Sequence, residues 1–495
     1  MNEISDSLKQ RFATIADLDA ASAVLSWDQQ THMPEGGLAA RAEQLSTLSR
    51  ISHDMLVSEE TGALLEETGN PDPTSVAGAF LRVARREYER AARLPSRLVG
   101  ELSRTRSLAQ GAWEKARANS DWELFAPHLE RMVALQREAA EHLGYEEHPY
   151  DALLDAYEPG MRKSQLDELF ARLREELVPI VKKLPREATG EEPFRGNFDE
   201  EKQEEFSTRV ITDFGYDWSR GRQDRVTHPF CTSLGGPADV RITTRFDPTW
   251  FSYHFFATLH ETGHALYEQG VDPAYTRTPL AGGASLGVHE SQSRLWENIV
   301  GCSREFWNHY QPLFGKIFPQ AAGASAEDLY RAANVAYPSE IRTEADELTY
   351  NLHILIRYEI ETALLEGDLE VSGLPGVWNE KTRSYLGFVP SSTSRGVLQD
   401  VHWAKGLIGY FPTYTLGNVL SAQIFEAAES AHPEIREQIS EGRFETLLGW
   451  LRENIHRHGR RYEPRELIER ATGRPMESGP YVSYLKKKYG EIYDL

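Results

Sequence analysis

The sequence predicts a mainly α-helical fold, a large helical body that carries one small β-sheet. Three observations lead there. Apolar residues recur at helical spacing along most of the 495 residues, and "MRKSQLDELFARLREELVPIVKKLP" is the plainest case. In it Leu166, Leu169, Phe170, Leu173, Leu177, Ile180 and Leu184 form an i, i+3/i+4 stripe, the signature of a helix with one face in a core, and Pro185 is expected to end it. A single stretch has strand character: "HPFCTSLGGPADVRITTRF", residues 228–246, where a Gly-Gly-Pro turn precedes alternating, β-branched residues. Finally, no segment has the composition of a disordered linker, and no internal repeat is visible. We therefore expect one continuous domain over residues 1–495, with a helical wall to about residue 215 and a second part, which contains the strand-like stretch, from about 216 onward.

Between helices, "TGNPDPTS" (68–75) and "REATGEEPFRGNFDEE" (186–201) have turn chemistry and are expected to be exposed; the second is strongly acidic and reads as a solvated loop. The formal charge of −22, from 54 Lys+Arg against 76 Asp+Glu, disfavours nucleic acid and anionic lipid surfaces. Cys231 and Cys302 are the two cysteines, too few for a disulfide framework. The first residues are mixed in charge, without the basic and apolar regions of a signal peptide, and no run approaches the ~18 apolar residues of a membrane helix. The expectation is a cytoplasmic protein.

The chemistry is concentrated in "LHETGHALYEQG", residues 259–270. On a helix, His260 and His264 lie on one face about 6 Å apart and can aim two ring nitrogens at one ion. Glu261 is turned away by roughly 100°, so it misses the ion but can take the proton from a metal-activated water. Two His ligands with an adjacent carboxylate base are the donor set of a zinc hydrolase. Phe255, Phe256, Leu259 and Leu266 supply the apolar face of such a helix, and Gly270 is a plausible stop. A pair of satisfied core or surface histidines is the plain alternative.

Catalytic zinc takes three protein ligands and leaves one position open. "LAGGASLGVHESQSRLWEN" offers Glu290, 26 residues after His264, with His289 as the rival ligand and Ser293 placed to support the site. Glu290 is preferred. Peptide hydrolysis also needs oxyanion donors, and an exopeptidase needs a cation for the substrate terminus. Arg342 and Asp346, and further on His402, Tyr410 and Tyr414, are of suitable type, although composition cannot bring them to the metal.

Five short motifs then occur in order: "DVRIT" (239–243), "HETGH" (260–264), "HESQSR" (289–294), "IRTEAD" (341–346) and "GVLQDVHW" (396–403). With "LSWDQQTHMPEGG" near the start and "YVSYLKKKYGEIY" at the end, they make the sequence resemble the carboxypeptidase Taq-type metallocarboxypeptidases over essentially its whole length. The resemblance implies a metal-dependent carboxypeptidase of broad specificity that spares C-terminal proline. It implies a helical fold with a long, deep groove and a small sheet at its wall, similar to neurolysin and angiotensin-converting enzyme. It also implies a homodimer, and one divalent ion per chain, zinc or alternatively cobalt. Residue by residue, His260, His264 and Glu290 match the metal ligands, Glu261 the general base, and Arg342 the region that holds the substrate's terminal carboxylate. His402 and Tyr414 resemble oxyanion-side donors, Tyr410 rivals Tyr414, and Arg241 with Asp239 stands where a groove wall would meet substrate backbone. The competing readings are a metal-dependent oligoendopeptidase and, from another class, a non-catalytic helical metal-binding module.

Overall fold

In the computed structural model, which describes residues 3–495, helices carry nearly all the regular structure, and the strands described form one three-stranded sheet. The mainly helical expectation holds. The chain divides into two units, each assembled from three separated stretches. One takes residues up to 92, 191–333 and 421–476; the other takes 93–190, 334–420 and 477–495.

The first unit is organised around the helix Phe251–Gly270, which contains HETGH and ends at Gly270 as its sequence suggests. Its N-terminal half sits on an aromatic cluster. Phe251 packs against Phe194, Phe198, Phe206, Phe314 and Phe318 with ring centroids 4.9–5.7 Å apart. Two of these rings belong to the segment expected to be a solvated loop. Phe194 and Phe198 are fully buried, so residues 186–201 are pinned to the core by two aromatic anchors although their acidic neighbours are exposed. Burying two such rings outweighs the polarity of the surrounding chain.

Strands β1 (Gln223–Arg225), β2 (Cys231–Ser233) and β3 (Val240–Thr244) form the sheet in the order β1-β3-β2. The stretch with strand character forms β2 and β3, an antiparallel hairpin with Ser233 opposite Val240. Its turn uses Gly235 and Gly236 at φ of +103° and +114°, backbone that side-chain-bearing residues rarely adopt. β1 adds a parallel partner that the sequence did not announce, because "QDR" has no strand-like pattern.

In the second unit the striped helix spans Lys163–Val181, with Leu166, Leu169, Phe170, Leu173 and Leu177 buried as expected. It stops short of Pro185. Pro179 lies in its last turn and has no N–H to bond backward, and the chain then tightens: Lys183 and Leu184 N–H donate to the carbonyls of Ile180 and Val181. The helix Glu347–Glu366 is buried on nearly all sides, the mark of a core helix, and it carries Arg357 and Glu361 inside. Asp346 is its N-cap, accepting from the N–H groups of Leu348 and Thr349 at 2.9 and 3.0 Å, so this aspartate has a structural task. No helix among the described residues is long and apolar enough to cross a membrane.

Candidate metal centre

Two helices of the first unit build the centre. The second, Leu286–Arg294, starts at Ser285, whose hydroxyl accepts from Val288 N–H at 3.0 Å, and continues directly into a π-helical turn, Leu295–Gly301. The helices meet at Gly263. A Cβ there would come within 2.5 Å of the Gln292 carbonyl oxygen and 2.6 Å of Ser293 Cα. The absence of a side chain at this one position of HETGH lets Glu290 approach the two histidines.

The result is a compact donor set. His260 Nε2 and His264 Nε2 lie 3.5 and 3.4 Å from Glu290 Oε2. Ligand atoms about 2.05 Å from a tetrahedral ion lie about 3.3 Å from one another, so these separations fit a divalent cation of zinc's size. Among the described residues this trio is the cluster able to hold a metal.

Electrostatics agrees. Burial alone would lower the His260 imidazole, yet the carboxylates of Glu290 and Glu297 raise it to about 9, whereas burial holds the His264 imidazole down to about 4 in spite of Glu290. Burial pushes the Glu290 carboxyl up, but His260, Arg294 and His264 hold it well below the usual carboxylate range. Glu261 is drawn up to about 7, first by burial and then by Glu290 and Glu297, against His260. That places a carboxylate of unusual basicity beside the donor set. Cys231 and Cys302 are both free thiols, and burial raises the Cys231 thiol, with the carboxylates of Glu261 and Glu268 adding to the effect.

Around the three candidate donors lies a further ring of contacts. Arg294 Nε donates to Glu290 Oε1 at 2.8 Å, and the Ser293 hydroxyl donates toward the Glu290 carbonyl and Oε2 at 2.7 and 3.1 Å. Glu297 Oε2 meets His260 Nδ1 at 2.8 Å. His289, the rival ligand, points away from the donor set: its Nδ1 meets His264 Nδ1 at 2.6 Å and its Nε2 meets Glu268 Oε1 at 2.8 Å. Arg294, Glu297 and Glu268 were missed in the sequence, although Glu268 follows His264 by one turn and Glu290, Arg294 and Glu297 stand at i, i+4, i+7.

Arg241 is at the first unit's sheet, on β3. Its guanidinium is bidentate to Asp239 at 2.9 and 2.8 Å and lies 4.3 Å from the Trp27 ring centre.

The second unit gathers the other candidates. Arg342 donates through Nε and Nη2 to Asp400 Oδ1 at 3.0 and 2.8 Å, and through Nη1 to the Tyr350 hydroxyl at 2.7 Å. Arg357, fully buried, reaches the other oxygen of Asp400. His402 Nε2 lies 3.3 Å from the Tyr414 hydroxyl, and its ring centre is 4.4 Å from that of Phe411, the planes tilted by 32°. Burial lowers the His402 imidazole to about 4, against Asp400, so it is neutral at physiological pH. Tyr410 completes the group, 5.4 Å from the Tyr414 ring and 5.5 Å from that of His402. Asp400 and Arg357 were not singled out from the sequence.

A His2Glu donor set on a helical scaffold, with a raised carboxylate beside it, defines a metallohydrolase. The sequence matches the carboxypeptidase Taq (M32) metallopeptidase family over residues 7–489, and the chain belongs to that family and is a metallocarboxypeptidase. It is 44% identical to thermostable carboxypeptidase 1 of Thermus thermophilus over 97% of this chain and 96% of that one. It is 40% identical to carboxypeptidase 1 of Bacillus subtilis, over 99% and 98% of the two chains. Among solved structures, the M32 carboxypeptidase from Deinococcus radiodurans superposes with a TM-score of 0.95 at 43% identity, covering 99% of both chains.

Proposed function

We propose that the protein removes the C-terminal residue of peptides with broad side-chain tolerance, using one divalent ion per chain, zinc or alternatively cobalt, held by His260, His264 and Glu290. The observation that carries this reading is the separation of 3.5 and 3.4 Å between the two histidine nitrogens and Glu290 Oε2, which suits one tetrahedral ion with a position left open. When bound, the ion polarises the scissile carbonyl and acidifies a water. Glu261 takes the proton from the attacking water and passes it to the leaving amine, a task suited to a carboxyl drawn up to about 7.

Arg342 is the proposed anchor for the substrate's terminal carboxylate. Three of its N–H groups are committed to Asp400 and Tyr350, which fixes the fork and leaves two of a guanidinium's five to donate. Two buried guanidinium groups share the single carboxylate of Asp400, so the cluster favours one more negative charge. His402, neutral, and Tyr414 serve as oxyanion-side donors, with Tyr410 as the alternative tyrosine and Arg241 as a contact for substrate backbone. A dimer of two such chains acting in the cytoplasm completes the proposal.

The test is a peptide offered with a free C-terminus and again as its amide, with products read by mass spectrometry. Loss of the last residue from the acid but not from the amide supports the reading. Equal cleavage of both, or cleavage at internal bonds, would favour an oligoendopeptidase and remove Arg342 from its role.

A further inference from the structure

The two ligand histidines are held by different partners. His260 Nδ1 meets a carboxylate directly, at Glu297 Oε2, 2.8 Å away. His264 Nδ1 meets another imidazole nitrogen, His289 Nδ1, at 2.6 Å, and His289 Nε2 meets Glu268 Oε1 at 2.8 Å. Proton positions follow from the end of this chain. A carboxylate oxygen at this distance accepts from His289 Nε2–H, and in a neutral ring that leaves the lone pair on Nδ1. That lone pair accepts the Nδ1–H of His264, and His264 is left with its own lone pair on Nε2, the atom 3.4 Å from Glu290 Oε2.

We propose that Glu268 and His289 are positioning residues, forming a relay that fixes His264 in its Nδ1–H tautomer and presents its Nε2 lone pair to the divalent ion. The inference rests on the metal-centre reading of the site and assigns His289, the rival ligand, a different task.

The packing shows a slot built for this ring. A Cβ on Gly283 would lie 2.8 Å from His289 Cδ2 and 2.9 Å from Tyr267 Cε1, so the glycine-rich loop closes over the imidazole only without a side chain there. The Tyr267 ring flanks His289 at 5.1 Å, and the Tyr267 hydroxyl accepts the Ala284 N–H of the same loop at 3.1 Å. Glu268 is buried, one helical turn beyond His264.

The relay has a direction, and substitutions can reverse it. In Glu268→Gln the amide can donate to His289 Nε2, which moves the His289 proton to Nδ1 and forces the His264 proton onto Nε2, where it blocks coordination. In His289→Phe the His264 Nδ1–H loses its acceptor, whereas the amide oxygen of His289→Gln can restore one.

Zinc affinity of the full chain, measured by chelator competition, tests this. We expect His289→Phe and Glu268→Gln to bind zinc about 10- to 100-fold more weakly, with His289→Gln recovering part of the loss. Histidine 15N spectra of the zinc-loaded wild type should show His264 protonated on Nδ1 and His289 on Nε2. His264→Ala serves as the control. If it binds zinc as tightly as wild type, the metal-centre reading itself fails. If it loses zinc while His289→Phe and Glu268→Gln bind normally, the relay is overturned and the centre stands. Should a variant not fold, the wild-type spectra decide, and a His289 proton on Nδ1 overturns the relay.

Discussion

Arg294 donates from Nε to Glu290 Oε1 at 2.8 Å, one helical turn after the carboxylate it holds. The pairing leaves Oε2, the oxygen facing both histidines, as the atom for the metal. A carboxylate with one oxygen tied down cannot swing freely, so in the proposed site Arg294 would hold Glu290 to offering a single oxygen.

Arg294→Gln should therefore weaken metal binding by about 10- to 100-fold, with the metal-free protein still folded. Chelator competition measures it. Unchanged affinity would mean that Glu290 needs no such restraint.

At Gly263 even a methyl group meets backbone, 2.5 Å from the Gln292 oxygen. Gly263→Ala should push apart the two helices that carry the proposed ligands, costing about 1–3 kcal/mol in unfolding free energy and weakening metal binding with it. Denaturant titration followed by metal titration checks both, and a neutral result in both would contradict the close approach of the helices.

Asp400 compensates two buried guanidinium groups, and those charges hold its carboxyl well below the usual range in spite of burial. Asp400→Asn keeps the shape and removes the charge. The expected loss is about 3–5 kcal/mol of stability, because Arg342 and Arg357 are left facing each other unpaired. A loss below about 1 kcal/mol in urea unfolding would show that solvent reaches the pair.

Acid should destabilise the fold through its buried histidines. Burial, with Arg245 adding to it, lowers His254 from 6.5 to about 4; burial likewise holds His353 and His456 well below the ordinary value. As pH falls, the unfolded chain takes up these protons first. For His254 the stabilising contribution is full above about 6.5 and is lost toward 4, at up to about 1.4 kcal/mol per pH unit, and His353 and His456 add losses of the same sign below 6.5. Thermal unfolding from pH 7.5 to 5 should show the decline, and His254→Phe should make it shallower. A slope unaltered by that substitution would mean that His254 is protonated in the native state.

How far these features can be read from sequence depends on their range along the chain. His260, His264 and Glu261 are local, fixed by helical spacing. Glu290 is recognisable because a second helix begins beside it after a glycine-rich loop. Glu268 and Glu297 lie at legible helical spacings, but the partners that give them meaning come from another turn or another helix. His289 is the instructive case: by type it is a ligand, and only the fold of Gly282, Gly283 and Ala284 over its ring shows that both nitrogens are turned elsewhere. Phe194 and Phe198 were concealed by an acidic setting, since local polarity says nothing about which rings find a distant core. Strand β1 owes its existence to pairing, with Val226 N–H on the Thr244 carbonyl and Ile242 N–H on that of Arg222, and not to its own residues. The division into two units made of separated stretches is likewise a long-range property.

The central claim is that His260, His264 and Glu290 hold the ion while Glu261 handles the proton. Glu261→Gln tests it most directly, with metal content and peptide turnover measured on the same preparation. The account predicts about one equivalent of metal per chain, as in wild type, and turnover lower by at least about 100-fold. Turnover near the wild-type rate with metal in place would contradict it.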